Sequence, residues 1–288
     1  MKRLRPLDLI AMFSVLVLTL NEERNLPHCL ASVSRCDDIV VLDSGSADRT
    51  AEIARAAGAR VFVHPFVNFA QQRNHAHEHI PFRHPWVFHL DADEQLTPAL
   101  FDECRQTSAA STNAPPLDGY LVAPRMMFRG RWIPRCTDFP AYQARFVAPA
   151  RFRFVQAGHG QREAPGQKLG TLRENYLHDL SSETEDAWLA KHRRYAREEA
   201  AAIVADPVSS AHLFRTLFAG PALARRRALK RLSYALPARP AFRFVYQYLL
   251  RGGFLDGAPA WHYCRLLATY ERFARDELRR LRRSALSR

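Results

Sequence analysis

The strongest constraint on the fold is an alternation in the first hundred residues. Phe13–Leu18 (FSVLVL), Ile39–Leu42 (IVVL), Arg60–His64 and Trp86–Leu90 (WVFHL) read as strands. Between them, Asn25–Ser34, Asp48–Ala57 and Phe69–Ile80 carry apolar residues at helical spacing. Thr97 and Pro98 then open a fourth helix, with Thr as cap and Pro in its first turn. Ser46 or Asp48 is expected to cap the second helix, and Gly58 to end it. Unbroken β-branched runs belong to parallel strands covered on both faces. A repeated strand–helix order closes into a parallel sheet with right-handed crossovers. The expected fold class is therefore α/β: a Rossmann-like, mostly parallel sheet flanked by helices, with a C-terminal helical segment.

Ligands of such sheets bind beyond the carboxyl ends of the strands. Here those ends read Thr19-Leu20-Asn21-Glu22, Asp43-Ser44-Gly45-Ser46 and Asp91-Ala92-Asp93-Glu94. Asp91 and Asp93 are hard oxygen donors of the kind that hold Mg²⁺ or Mn²⁺, ions that bridge substrate phosphates. Asp43 is placed to accept hydrogen bonds from a nucleobase imide or a ribose hydroxyl, or to cap the next helix. Asn21 and Glu22 add a polar wall. No Walker A, G-x-G-x-x-G or G-x-S-x-G pattern occurs. His75 and His79 stand four apart on a helix, but the H-E-x-x-H order is missing, and no metal site is expected there.

Taken in order, Leu18–Glu23, Val40–Thr50, Gln72-Arg73-Asn74 and Leu90–Glu94 resemble family 2 glycosyltransferases of the GT-A fold. The resemblance is nearest to the subgroup that builds the lipopolysaccharide inner core, of the β-1,4-glucosyltransferase type. It extends over residues 13–205, and Tyr248–Gly257 is also similar. It implies an inverting, metal-dependent hexosyltransferase using a nucleotide-diphosphate sugar. Thr19, Asn21, Glu22 and Asp43 would hold the nucleoside, with Arg73 and Asn74 near the nucleotide or diphosphate. Asp91 and Asp93 would form the D-x-D, Asp93 being the direct ligand of the divalent cation. His178 takes the position of a late histidine that completes the metal or diphosphate site.

Inversion requires a base for the acceptor hydroxyl. Glu163, ending the Gly-flanked loop Gly158–Glu163, is the first choice, and the resemblance gives it the base position. Asp138, in Cys136-Thr137-Asp138, is the second. Short strands are expected around 120–123, 142–146 and 152–155, after a loop at 108–116. A long helix over Ser181–Ala205, capped by Ser181 or Ser182, ends at Asp206-Pro207.

Charge separates the chain into two parts. Residues 207–288 carry 17 Lys and Arg against 4 Asp and Glu, a surplus of 13, while residues 1–206 balance at 25 of each. The expected organisation is a catalytic domain over 1–205 and a basic amphipathic helical segment over 206–288. Arginines beside Phe, Leu and Trp suit a helix lying in an anionic membrane interface. The expected partners are thus a nucleotide-sugar donor, a glycolipid acceptor and the inner face of the cytoplasmic membrane. A polyprenyl-phosphate acceptor is the alternative within enzymes, and a non-catalytic adaptor for membrane or nucleic acid is the alternative outside them. No nucleic-acid motif is present. The five scattered cysteines make no C-x-x-C pair and read as buried free thiols of a reducing compartment. The apolar stretch Leu9–Leu20 resembles a signal peptide only weakly, and its end reads as the first strand.

Overall fold

A computed structural model describes residues 12–110, 117–157, 160–205, 209–219, 222–234, 236 and 238–286. The basic N-terminal lead, most of the 108–116 loop, Gly158 and His159, Asp206-Pro207 and Pro221 lie outside the described residues.

The chain divides into two compact units, residues 1–127 with 139–182, and residues 128–138 with 183–288. In chain order the first unit runs β1 (Ser14–Thr19), α1 (Leu26–Ser32), β2 (Ile39–Asp43), α2 (Thr50–Ala56), β3 (Arg60–Val63), α3 (Phe69–His79), β4 (Val87–Asp91), β5 (Glu94–Gln95), α4 (Pro98–Ala110), β6 (Gly119–Val122) and β7 (Pro124–Phe128). After β8 (Arg131–Trp132), which belongs to the second unit, come β9 (Gln143–Val147), β10 (Phe154–Ala157), β11 (Gly160–Glu163), β12 (Leu169–Thr171) and β13 (Tyr176–Asp179).

The main sheet has the order β12-β6-β9-β4-β1-β2-β3. Strands β4, β1, β2 and β3 are mutually parallel, and β9 enters antiparallel between β4 and β6. Its composition follows from double coverage. On β1, Val15 and Val17 join α1, α2 and α4 through Leu26, Leu30, Ala54, Leu100 and Phe101. Leu16 and Leu18 face the other way and meet Ala76 and Ile80 of the α3 side. Neither face admits a polar residue at these positions, which is why the strands are legible as unbroken apolar runs. Polar side chains gather at the carboxyl ends of the strands, at Thr19, Asp43 and Asp91. These three are adjacent in register: Thr19 pairs with Asp43, and Leu18 with Asp91.

A smaller sheet forms beside this edge. β13 runs antiparallel to β5 and parallel to β7, and its register sets His178 opposite Glu94. β10 and β11 form a hairpin that carries Glu163.

The second unit also contains α5 (Glu185–Ala205), α6 (Ser210–Ala219), α7 (Ala222–Ser233), α8 (Arg239–Val245) and α9 (Ala258–Leu286). A π-helical turn at Tyr246–Leu250 and a 3₁₀ turn at Gly253–Asp256 join α8 to α9. Helix α5 begins at Glu185, later than the sequence suggested. Ser181 is held by Asp179 at the end of β13, with its hydroxyl donating to Oδ1 at 2.7 Å. Thr184 is the residue whose hydroxyl receives an amide of the first turn, that of Ala187 at 3.3 Å. Ala196 and Ala200 of α5 pack with Tyr234, Ala274 and Leu278. Small residues on α5 and α9 permit this close approach. Arg239 is buried against the Tyr234 ring at 3.4 Å and ion-pairs with Glu271 at 2.7 Å.

Candidate active site

The loops after β1 and β2 are tied together by side chains. Thr19 donates to Asp43 Oδ1 at 2.7 Å, and Ser46 donates to the same oxygen at 2.6 Å. Asp43 Oδ2 accepts from the amides of Gly45 and Ser46. Burial alone would raise the Asp43 pKa, but these hydrogen bonds outweigh it and hold the carboxylate below its ordinary range. Asn21 adopts a left-handed φ of 56°, which Asn tolerates better than most residues. Its amide donates to Ser46 Oγ, and its Oδ1 accepts from Ala47. The Glu22 amide donates to Thr50 Oγ1 at 2.7 Å, and its carboxylate receives Asn25 Nδ2. The α2 start uses Asp48, whose Oδ1 accepts the Thr50 amide.

A buried ionic lattice surrounds the acids after β4. Arg73, from α3, donates to Asp91 Oδ1 at 2.7 Å. Arg145, from β9, donates to Asp91 Oδ2 at 3.2 Å and to Glu94 Oε1 at 2.7 Å. Glu94 Oε2 accepts the Asp91 amide, closing the turn. The guanidinium of Arg145 also lies over the Tyr176 ring, 5.2 Å from its centroid. Both oxygens of Asp91 are thereby taken by cations. Burial works against its charge, yet Arg145 and Arg73 overcome burial and hold the pKa at about 2. Glu94 shows the opposite balance: full burial, assisted by Asp91 and Asp93, outweighs Arg145 and lifts it to about 7.

His178 stands between two acids, with Nε2 3.5 Å from Asp93 Oδ2 and Nδ1 3.6 Å from Glu94 Oε1. Burial would lower its pKa, but the hydrogen bond to Asp93 and the charges of Glu94, Asp93 and Asp91 raise it to about 9. The Asp179 amide donates to the Asp93 carbonyl at 3.1 Å, fixing the strand that brings the two side chains together.

A cavity of about 580 Å³ opens at this point, lined by Arg73, Asp91, Arg145, His178 and, from the β10–β11 hairpin, Glu163. Among the described residues Glu163 makes no ion pair. Asp138 belongs to the second unit and ion-pairs with Arg251 at 2.9 Å. Asn74 uses its amide as a clip: Nδ2 donates to the Phe154 carbonyl and Oδ1 accepts the Phe154 amide, each at 2.9 Å. It supports the hairpin that presents Glu163. His64, His75 and His79 stack in a column, at 3.6 and 4.3 Å between ring centroids.

The donor set fits a divalent ion of the substrate-completed type. Asp91 is committed to two arginines, so Asp93 and His178 are the protein groups at hand. No cluster of three or more acidic, His or Cys ligands exists among the described residues. Mg²⁺ and Mn²⁺ commonly take one or two protein ligands and fill the remainder with water and phosphate oxygen.

Sequence reasoning did not assign Arg145 and Tyr176, and it quoted Glu94 without a role. A signal for Arg145 was available: a lone arginine in the otherwise covered strand QARFV requires a buried acid.

Residues 14–107 match the family model described as Glycosyl transferase family 2. That segment carries the family 2 pattern. It contains the strand ends of β1, β2 and β4 and all of α3, and the observed sheet is consistent with the GT-A class. The lipopolysaccharide core biosynthesis glycosyltransferase LpsC of Rhizobium meliloti (strain 1021) is 38% identical over 117 residues, 39% of this chain and 42% of LpsC. An uncharacterized glycosyltransferase of Rickettsia typhi, RT0209, is 33% identical over 118 residues, 41% of this chain and 39% of that protein. The chain thus spans about two fifths of the length of these curated relatives. Among solved structures, the mannosyltransferase PcManGT of Pyrobaculum calidifontis, in complex with GDP-Man and Mn²⁺, is similar at a TM-score of 0.48 and 16% identity, covering 93% of this chain and 87% of that one. Glucosyl-3-phosphoglycerate synthase of Mycobacterium tuberculosis, with Mn²⁺, UDP-glucose and phosphoglyceric acid, is similar at 0.33 and 23% identity, covering 43% and 46%.

Proposed function

We propose that this chain is an inverting glycosyltransferase. It moves a hexose from a nucleotide-diphosphate sugar to a lipid-linked glycan, foremost the lipopolysaccharide core, at the inner face of the cytoplasmic membrane. The observation that carries the reading is the Asp93–His178 pair, set beside an arginine-clamped Asp91 at the rim of a cavity that Glu163 also lines. The name of LpsC supports the choice of acceptor.

In this reading Asp43 and its neighbours receive the nucleoside at the carboxyl edge of the sheet. Arg73 and Arg145 neutralise Asp91 and keep its loop in one conformation, so Asp93 is presented without reorganisation. Asp93 and His178 would hold a divalent ion, which would offset the charge that develops on the departing nucleoside diphosphate. His178 would serve as a ligand only as the neutral imidazole, its proton having passed to solvent. Glu163 takes the proton of the acceptor hydroxyl as it attacks the anomeric carbon from the face opposite the leaving group.

A panel of nucleotide sugars, assayed for thermal stabilisation with and without Mn²⁺, tests the donor half. Asp93→Asn is expected to abolish the Mn²⁺-dependent stabilisation, measured against the variant's own unliganded melting temperature, which falls with the loss of the His178 ion pair. Glu163→Gln is expected to keep the stabilisation and lose transfer by about 100-fold or more. Stabilisation of wild type and Asp93→Asn to the same extent would overturn the assignment.

A further inference from the structure

Between α8 and α9 the usual distribution of side chains is reversed. Gln247 is only 2% exposed and donates to the Cys136 carbonyl at 2.6 Å. Asp256 is also buried, and its carboxylate receives Arg135 through both the backbone amide and the guanidinium, each at 2.8 Å. Gly253 is packed so closely that a Cβ there would lie 2.6 Å from Cys136 Sγ and from the Gln247 carbonyl. The large apolar residues of the same stretch face solvent: Phe242, Tyr246, Leu249, Leu250, Phe254 and Leu255 are all exposed, Leu250 at 76%.

Single exposed leucines need no explanation, but polar groups locked inward beneath a run of exposed apolar ones do. The inward locks determine the outward display. Gly252, at a φ of 74°, turns the chain so that Leu249 and Leu250 precede the bend and Phe254 and Leu255 follow it. Tyr248 packs on both Phe244 and Phe254, which stiffens the turn from below.

The geometry points to the Phe242–Leu255 turn as a membrane-insertion surface whose occupant is an anionic lipid bilayer. Charge complementarity selects it. The surplus of 13 positive charges lies in residues 207–288, the stretch of chain that carries this patch, and Arg215, Arg225, Arg265 and Arg272 are exposed. Apolar side chains entering the acyl boundary beneath basic residues at headgroup level are the two terms of interfacial binding. Nucleic acid fits less well, because aliphatic Leu249, Leu250 and Leu255 offer no stacking surface to bases. Among the described residues no helix is long and apolar enough to span a bilayer, so the mode is insertion from one side. The inference concerns the second unit alone and does not depend on the transfer chemistry.

The full chain is tested by flotation with phosphatidylglycerol–phosphatidylcholine vesicles and with pure phosphatidylcholine vesicles. Binding to the anionic vesicles, weakened by salt, is expected. Leu250→Ser with Leu255→Ser should weaken it by about tenfold or more, while the melting temperature and the donor-induced stabilisation stay as in wild type. Leu250→Trp should bind and shift its emission to the blue on vesicles. No vesicle binding by wild type, unchanged binding by the double variant, or a wild-type dimer that the double variant dissociates without any lipid binding would each overturn the inference. Nucleotide-sugar stabilisation read on the same samples separates this failure from failure of the transferase reading.

Discussion

Replacement of Arg145 by methionine tests the ionic lattice in a way that its charges make quantitative. Arg145 is 4% exposed and serves Asp91 and Glu94 at once. Asp91 is held at about 2 from an ordinary 3.8, so its charge is stabilised in the fold by a few kcal/mol. Arg145 and Arg73 share that stabilisation, so loss of Arg145 removes part of it at any pH above 4. Glu94 behaves differently. With its pKa near 7 it is mostly neutral at pH 5, and Arg145→Met then costs little through it. At pH 8 the wild-type Glu94 is ionised against Arg145. The variant forfeits that ionisation, which adds to the cost. The expected cost of Arg145→Met is therefore a few kcal/mol, and larger at pH 8 than at pH 5. Urea unfolding at both pH values measures it. Adding Glu94→Gln removes the buried acid and should bring the pH 8 cost back toward the pH 5 value. A cost that is flat or falls with pH, or a double variant with no recovery at pH 8, refutes the reasoning.

His178 contributes with a sign of its own. Its folded pKa of about 9 exceeds the ordinary 6.5, so its contribution is complete below pH 6.5 and is lost as pH rises through 9. That loss is on the order of 3 kcal/mol, and His178→Asn should flatten the stability profile between pH 6.5 and 9; an unchanged slope would contradict the pairing with Asp93. Gly253→Ala sets a Cβ against Cys136 Sγ and the Gln247 carbonyl, and should destabilise the second unit by about 1–3 kcal/mol in thermal melts. A neutral Gly253→Ala would mean that the turn has room to move.

The legible part of the fold is the part with one physical cause. Strands β1, β2 and β4 are covered on both faces, so they are apolar apart from Ser14 and His89, and the polar break at Thr19, Asp43 and Asp91 marks their carboxyl ends. Motif order then singled out the strand-end residues. The short strands β5, β11 and β12 escaped notice because two to four half-covered residues show no period. The pairing of His178 with Asp93 depends on β13 returning beside β5, a contact some 80 residues apart that no local pattern encodes. The partners of Arg145 were hidden for the same reason: Asp91 and Glu94 lie more than 50 residues earlier. The late start of α5 came from Asp179, which captures Ser181 before the helix can use it.

Residues 128–138 leave the ribosome long before the groups that satisfy them exist. Arg135, Cys136 and Asp138 wait for Asp256, Gln247 and Arg251, separations of 111 to 121 positions. Such distant closure is slow to nucleate. A chain cut at position 206 would carry this segment with every one of those partners deleted, so the cationic end cannot be trimmed away as a detachable tail. It supplies the other half of a structure begun in the middle of the sequence.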